Sequence, residues 1–350
     1  MADDHLPLID VAPLLGQPAV VRGRNRATVD SAGLEVAAAI DAACRRYGFF
    51  RVTGHGVAPE ALSHLGRLAR EFFALPVPDK ERIAMRHGGA AWRGWFPLGG
   101  ELTSGRPDQK EGLYFGAELP VDHPAVRSGR PLHGPNLFPS EPAGLGPAVL
   151  TWMAAMSDLG QRLLTAMAVG LGLDPRWFER TVTADPTLLF RIFRYPPTPA
   201  AGWGVAEHTD YGLLTLLAQD GHDGLEVRGP DGWIAVPGDP DVLVVNLGDM
   251  LERMTGGRYR STAHRVRNTG GVDRLSFPCF VDPSWDAQCP VMPLADVAAP
   301  DLTPVSTSPR WDHDDPRAWE GTYGDYLTAK VAKVFPDLGP AIAGRPGRRT

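Results

Sequence analysis

Two histidines and an aspartate carry the most specific chemistry in this chain. His208 and Asp210 stand two apart in Glu207-His208-Thr209-Asp210, and His264 follows 54 residues after the aspartate. In a strand, residues i and i+2 share a face, so an imidazole at 208 and a carboxylate at 210 converge while Thr209 faces away. Two imidazoles and one carboxylate occupy one face of an octahedron and leave three positions open, the arrangement of non-haem Fe(II) oxygen chemistry. Two open positions suit a chelating oxo-acid and the third suits dioxygen. The same donors also suit a Zn(II) hydrolase, and a lone His-x-Asp pair is more often plain polar surface at a strand end. Ten residues beyond His264, Arg274 and Ser276 again share a strand face. They offer a guanidinium and a hydroxyl to one carboxylate, and the planar fork of Arg matches both of its oxygens.

His208-Thr209-Asp210, the interval to His264 and Arg274-Leu275-Ser276 together resemble the isopenicillin N synthase-like family of Fe(II)/2-oxoglutarate-dependent dioxygenases. The resemblance runs from about residue 6 to residue 335 through Leu6-Pro7-Leu8-Ile9-Asp10, Gly48-Phe49-Phe50 with Gly54-His55-Gly56-Val57, Lys110-Glu111-Gly112, Tyr195-Pro196-Pro197 and Asn246-Leu247-Gly248-Asp249. It implies Fe(II), 2-oxoglutarate and O2 as cofactors, with His208, Asp210 and His264 on the metal. Arg274, Ser276 and Tyr195 would hold the far carboxylate of the oxo-acid, and Asn246 and Asp249 would support the site. Two residues before Tyr195 the family commonly carries Asn, whereas this chain has Phe193. The implied reaction is hydroxylation, desaturation or cyclisation of a small molecule. Halogenation is disfavoured because Asp210 fills the position where a halide would sit. Oxidases of the same fold that do not consume 2-oxoglutarate also retain Arg-x-Ser, so that alternative stays open, as does a non-catalytic ligand-binding scaffold.

The elements that must position these groups follow from pattern and punctuation. With 350 residues, 43% of them hydrophobic, the chain can bury a large core. Forty glycines and 34 prolines imply many fixed turns. Many short strands between hairpin turns, with flanking helices, indicate an all-β core built as a double-stranded β-helix, the jelly-roll or cupin-like architecture. We expect a single oxygenase domain over residues 1–350. Within it, residues 1–185 would be mainly helical, 186–285 would form the jelly-roll core with the metal site, and 286–350 a loop and a terminal helix closing over the barrel mouth. The strands expected here include Leu188–Tyr195, Leu213–Ala218, Val242–Asn246, Tyr259–Val266 and Leu275–Phe280. Leu225–Arg228 and Trp233–Val236 make the clearest hairpin. Pro278 is expected at a sheet edge or bulge. Helices are expected over Leu34–Arg46, Pro59–Phe73 and Pro147–Val169, the first burying Leu34 and Ala38 and the last burying Leu150 and Ala154. Loops are expected over Gly16–Asn25 and Pro290–Arg310, and a basic tail over Gly344–Thr350.

The substrate chamber is harder to place. Trp92, Trp95 and Phe96 cluster among glycines in a long loop region, Ala90–Gly116, and are candidate pocket wall, with Phe193 and Phe280 as further candidates. Lys110 and Glu111 read as a pair that steadies this loop. Arg191 reads as a surface ion-pair residue in preference to a ligand for a substrate carboxylate. A formal charge of −6 argues against nonspecific nucleic-acid binding. Three cysteines make neither a metal finger nor a disulfide framework. With no signal-peptide pattern and no long apolar run, we expect a soluble cytoplasmic protein, monomeric or weakly homo-oligomeric. The Ala, Gly, Pro and Arg usage suits a GC-rich bacterium and a specialised pathway such as antibiotic biosynthesis.

Overall fold

The computed structural model describes residues 5–16, 29–103, 105–197, 202–268, 271–295 and 318–335. Six strands precede the core: β1 Leu8–Asp10, β2 Phe49–Thr53, β3 Gly94–Phe96, β4 Leu102–Thr103, β5 Arg106–Pro107 and β6 Glu111–Gly116. Eight follow: β7 Pro186–Tyr195, β8 Gly202–His208, β9 Leu214–Gln219, β10 Leu225–Arg228, β11 Trp233–Val236, β12 Leu243–Leu247, β13 His264–Asn268 and β14 Arg274–Ser284. One sheet has eight strands in the order β1-β2-β12-β9-β14-β7-β6-β3, and a second has the order β11-β10-β13-β8. Side chains from both sheets line one cavity. The fold is a β core with flanking helices, the double-stranded β-helix that the strand and turn pattern implied.

Burial explains which strands are central. Every residue of β12, Leu-Val-Val-Asn-Leu, is buried, and it is bonded by β2 on one side and β9 on the other. The hairpin of β10 and β11 has the expected register, Leu225 opposite Val236 and Arg228 opposite Trp233. Pro278 departs from expectation, because β14 is an interior strand flanked by β7 and β9. It pairs with Leu217 of β9, while the ladder to β7 is broken between Ser276 and Cys279. A residue without an N–H is accommodated by giving up bonds on one side only. The region 90–116, expected as loop, supplies β3 and β6 to the large sheet.

The helix Pro59–Phe73 buries Leu62, Leu65, Leu68, Ala69 and Phe72, the expected stripe. In Ser31–Arg46 the buried face is Val36, Ala37, Ile40, Ala43 and Cys44, whereas Leu34 is 49% exposed and Ala38 is exposed. At 100° per residue, Leu34 lies opposite the Val36–Ile40 stripe, so the better-packed face decides the phase. In Leu145–Gly170, Leu150 and Ala154 likewise face outward, and Val149, Trp152, Met153 and Met156 face in. The terminal helix Tyr323–Val334 carries a capping box between Thr322 and Asp325, and its Leu327 and Val334 line the cavity. Residues 17–25 and 344–350, for which a loop and a basic tail are expected, lie outside the described residues, as do 296–310 of the expected loop over Pro290–Arg310.

Gly48 ties the first part of the chain to the metal-bearing one. It ends the Ser31–Arg46 helix with φ +64°, and a Cβ there would lie 2.2 Å from the Arg260 carbonyl and 2.6 Å from Thr262 Oγ1. Gly48→Ala is expected to lower the unfolding free energy by at least ~1 kcal/mol from the left-handed backbone alone. Chemical denaturation would show this as a lower midpoint with an unchanged slope.

Candidate metal centre and its cavity

β8 ends on His208 and β13 begins on His264, and the two are register partners across an antiparallel ladder. Their ring centroids are 4.2 Å apart. Asp210 follows two residues after His208, outside the strand, where its backbone carbonyl accepts from the Asp249 amide at 2.8 Å. Nε2 of His208 and Nε2 of His264 lie 4.0 and 3.9 Å from Asp210 Oδ1. One ligand atom from each of the three lies within 4.8 Å of the others. The expected strand Tyr259–Val266 begins only at His264, because the side chains before it bond elsewhere. Ser261 Oγ donates to Asp249 Oδ1 at 2.6 Å, and Thr262 Oγ1 donates to the Tyr47 carbonyl at 2.7 Å.

The hydrogen bonds fix which ring nitrogens are free. His208 Nδ1 lies 2.8 Å from the Ala206 carbonyl and His264 Nδ1 lies 3.2 Å from the Thr262 carbonyl. A carbonyl only accepts, so both Nδ1 atoms carry hydrogen, which leaves both Nε2 atoms on the Asp210 side for a metal. Asp210 Oδ2 accepts from Asn246 Nδ2 at 2.7 Å and from the Thr215 hydroxyl, which leaves Oδ1 turned toward the imidazoles. Burial, then His264, pushes the His208 imidazole down to about 3. Burial opposes ionisation of Asp210, but the His264 and His208 imidazoles and the bonds from Asn246 and Thr215 hold its carboxyl below the usual range. A neutral His208 imidazole beside an ionised Asp210 carboxylate, with the His264 ring next to them, suits a divalent metal.

Across the cavity, β14 presents Arg274 and Ser276, and Tyr195 of β7 is the register partner of Arg274. Arg274 is 3% exposed, and its Cζ sits 5.0 Å over the Tyr195 ring. Its Nη2 donates to Gln219 Oε1 at 3.1 Å and its Nε to the His222 carbonyl at 3.3 Å. Its Nη1 is buried and has no hydrogen-bond partner among the described residues. A buried, unsatisfied guanidinium nitrogen in a cavity wall is a fitted place for a ligand carboxylate.

The N-terminal part of the chain, residues 6–141, matches the model of the N-terminal region of non-haem dioxygenases described for morphine synthesis, and residues 186–283 match the 2OG-Fe(II) oxygenase superfamily. A probable iron/ascorbate oxidoreductase of Dictyostelium discoideum is 42% identical over 325 residues, covering 85% of this chain and 88% of that one. The chain belongs to the Fe(II)/2-oxoglutarate-dependent oxygenases. A homoarginine-6-hydroxylase of Glycine max is 32% identical over 97% of this chain and 100% of its own. Among solved structures, a full-length Neurospora crassa protein in complex with alpha-KG and 5-formyluracil superposes with a TM-score of 0.72 at 26% identity, covering 95% of this chain and 98% of that one. This oxygenase therefore oxidises a small molecule with Fe(II) and 2-oxoglutarate, and O2 follows from that chemistry. Among the described residues no helix is long and apolar enough to cross a membrane.

The rest of the oxygenase cavity corrects several expectations. Phe193 and Phe280 line it, but Trp92, Trp95 and Phe96 do not. Trp95 is held behind the wall by a 2.9 Å bond from Nε1 to Glu111 Oε2, and Trp92 packs on Phe335. Phe96 meets Tyr114, Phe193 and Phe335 edge-on, so it supports the wall from behind. Lys110 and Glu111 are not partners, since neighbours along a strand face opposite sides. Lys110 pairs with Glu101 at 2.8 Å and Asp108 at 2.7 Å, whereas Glu111 pairs with Lys80 at 2.9 Å and Arg194 at 2.7 Å. Arg191 is in the cavity wall, not on the surface, together with Glu101 and Lys110. Asp282 is a further lining residue that sequence reasoning missed. Burial pushes its carboxyl up to about 7, against hydrogen bonds from Tyr323 and the Leu213 amide.

Proposed function

We propose that His208, Asp210 and His264 hold the ferrous ion and that Arg274, with Ser276 and Tyr195, holds the far carboxylate of 2-oxoglutarate while a small molecule is oxidised in the remainder of the cavity. The observation that carries this reading is the unpartnered, buried Nη1 of Arg274 in the same cavity as the two histidines and the aspartate. Bound iron and oxo-acid supply activation of dioxygen, with decarboxylation of the oxo-acid to succinate and CO2. The chain's own residues supply position. The Ala206 and Thr262 carbonyls orient the imidazoles, Asn246 and Thr215 aim the carboxylate, and Gln219 holds the Arg274 fork. Leu327 and Val334 of the terminal helix add apolar wall that limits water around the reacting groups.

Anaerobic titration tests this directly. Fe(II) followed by 2-oxoglutarate is expected to produce a visible absorption band from chelation, and no band after confirmed iron binding would overturn the assignment. The outcome for substrate is hydroxylation, desaturation or ring closure in a specialised, antibiotic-type pathway, carried out by a cytoplasmic enzyme, monomeric or weakly homo-oligomeric. The net charge of −6 supports a small-molecule substrate over nucleic acid.

A further inference from the structure

The strand face that carries Tyr195 carries a second arginine. Along β7, Arg191, Phe193 and Tyr195 alternate onto the cavity, and along the neighbouring β14 so do Arg274, Ser276, Pro278, Phe280 and Asp282. Tyr195 lies opposite Arg274 in the ladder, whereas Arg191 stands four residues further along β7. At the rise of a strand that is roughly 13 Å. The Arg191 guanidinium is held against Tyr114 and Phe280 and the Arg274 guanidinium against Tyr195, so the two occupy different places along the cavity wall.

Arg191 is held in place but not satisfied. Its guanidinium carbon lies 4.2 Å from the Tyr114 ring centroid and 4.8 Å from that of Phe280, so two aromatic faces fix the group. Its nearest carboxylate oxygen, Glu101 Oε1, is 3.6 Å from Nη1, beyond hydrogen-bond distance. Glu101 is already engaged, since it accepts from the Tyr114 hydroxyl and pairs with Lys110 at 2.8 Å. Lys110 in turn is shared between Glu101 and Asp108. Among the described residues the Arg191 guanidinium has this ion pair with Glu101 and no side-chain hydrogen bond. With 18% of its side chain open to the cavity, the guanidinium keeps donors that a ligand's acceptors can meet. Lys110 and Arg191 balance Glu101 and Asp108, while Asp210 and Asp282 also bear on Arg191, the Asp210 charge being offset once its metal is bound.

We propose that Arg191 is a substrate-binding residue that receives the carboxylate of a small carboxylic acid, whose apolar body lies along Phe193, Phe280 and Leu327. The proposal rests on the reading of this cavity as the iron and 2-oxoglutarate site. It separates two acids in one chamber, the oxo-acid at Arg274 and the substrate at Arg191.

The test uses the full chain loaded anaerobically with Fe(II) and 2-oxoglutarate, with 3-phenylpropanoate and its neutral amide as probes. Binding is read by isothermal titration and by the change each probe makes in the visible band. The acid is expected to bind at least tenfold tighter than the amide, Arg191→Gln to erase that preference, and Arg191→Lys to restore part of it. Equal binding of acid and amide, binding of neither, or an unchanged preference in Arg191→Gln overturns the proposal. The comparison of acid with amide on the unaltered protein decides the matter even where Arg191→Gln does not fold. Affinity for 2-oxoglutarate is measured on the same variants, and a loss there exceeding the loss for the acid assigns Arg191 to the oxo-acid and overturns the proposal. A band without acid preference sinks this inference alone, whereas absence of the band sinks the reading beneath it as well.

Discussion

His208→Ala is expected to bind iron at least ~100-fold more weakly and to show no measurable iron-dependent turnover. Loss of a residue that merely orients a ligand costs 10- to 100-fold in affinity or activity in metal sites generally, and loss of a ligand itself costs more. The variant should still fold. The His208 imidazole is held by the Ala206 carbonyl and by its ring contact with His264. A second readout separates the metal role from a structural one. With its pKa held at about 3 against an ordinary value of 6.5, His208 is neutral in the folded apo-protein while the unfolded chain takes up a proton below pH 6.5. Its contribution to stability is therefore present above pH 6.5 and is lost as pH falls from 6.5 toward 3. The metal-free alanine variant should be less sensitive to acid than the metal-free parent, although it cannot be rescued by iron. Unchanged iron affinity by equilibrium dialysis would remove His208 from the metal.

How much of this site was legible beforehand depended on whether the pattern was local. His208 and His264 are far apart in sequence, but each sits at a strand end, and the fold brings them opposite each other in one ladder. The hairpin of β10 and β11 was readable because Gly229-Pro230-Asp231-Gly232 leaves the chain few ways to turn. The aromatic cluster misled for a physical reason. Large rings among glycines mark either a pocket or a sheet that packs over tight backbone, and here Gly94 and Gly112 let β3 and β6 pair closely. Arg191 was assigned to the surface although a signal pointed to the cavity. Once Tyr195 was assigned to the oxo-acid, the period of a strand placed Phe193 and Arg191 on the same face. The partner choices of Lys110 and Glu111 were beyond reach, because Glu101 and Lys80 approach from elements whose docking only the folded chain reveals.

The second large effect belongs to Arg274→Ala, and it should fall on 2-oxoglutarate and spare iron. Truncating one partner of a buried, hydrogen-bonded charge pair costs about 2–4 kcal/mol. That converts to roughly 30- to 700-fold in affinity at 1.4 kcal/mol per tenfold. The apparent KM for the oxo-acid should rise by that factor, while iron binding measured without oxo-acid stays near the parent value. Geometry contributes as well as charge. Gln219 and the His222 carbonyl hold Nη2 and Nε, so the free Nη1 is fixed in direction before any ligand arrives. Arg274→Lys keeps a cation but loses the fork, and should recover only part of the affinity. Because Arg274 is buried, its removal also strands Gln219, and a fall in melting temperature is expected with either substitution. The diagnostic is therefore a ratio, namely the change in oxo-acid affinity relative to the change in iron affinity for the same folded variant. If both fall together, Arg274 acts on the scaffold. If only the oxo-acid is lost, its carboxylate sits where the unpaired nitrogen waits, at a different place along the cavity wall from Arg191.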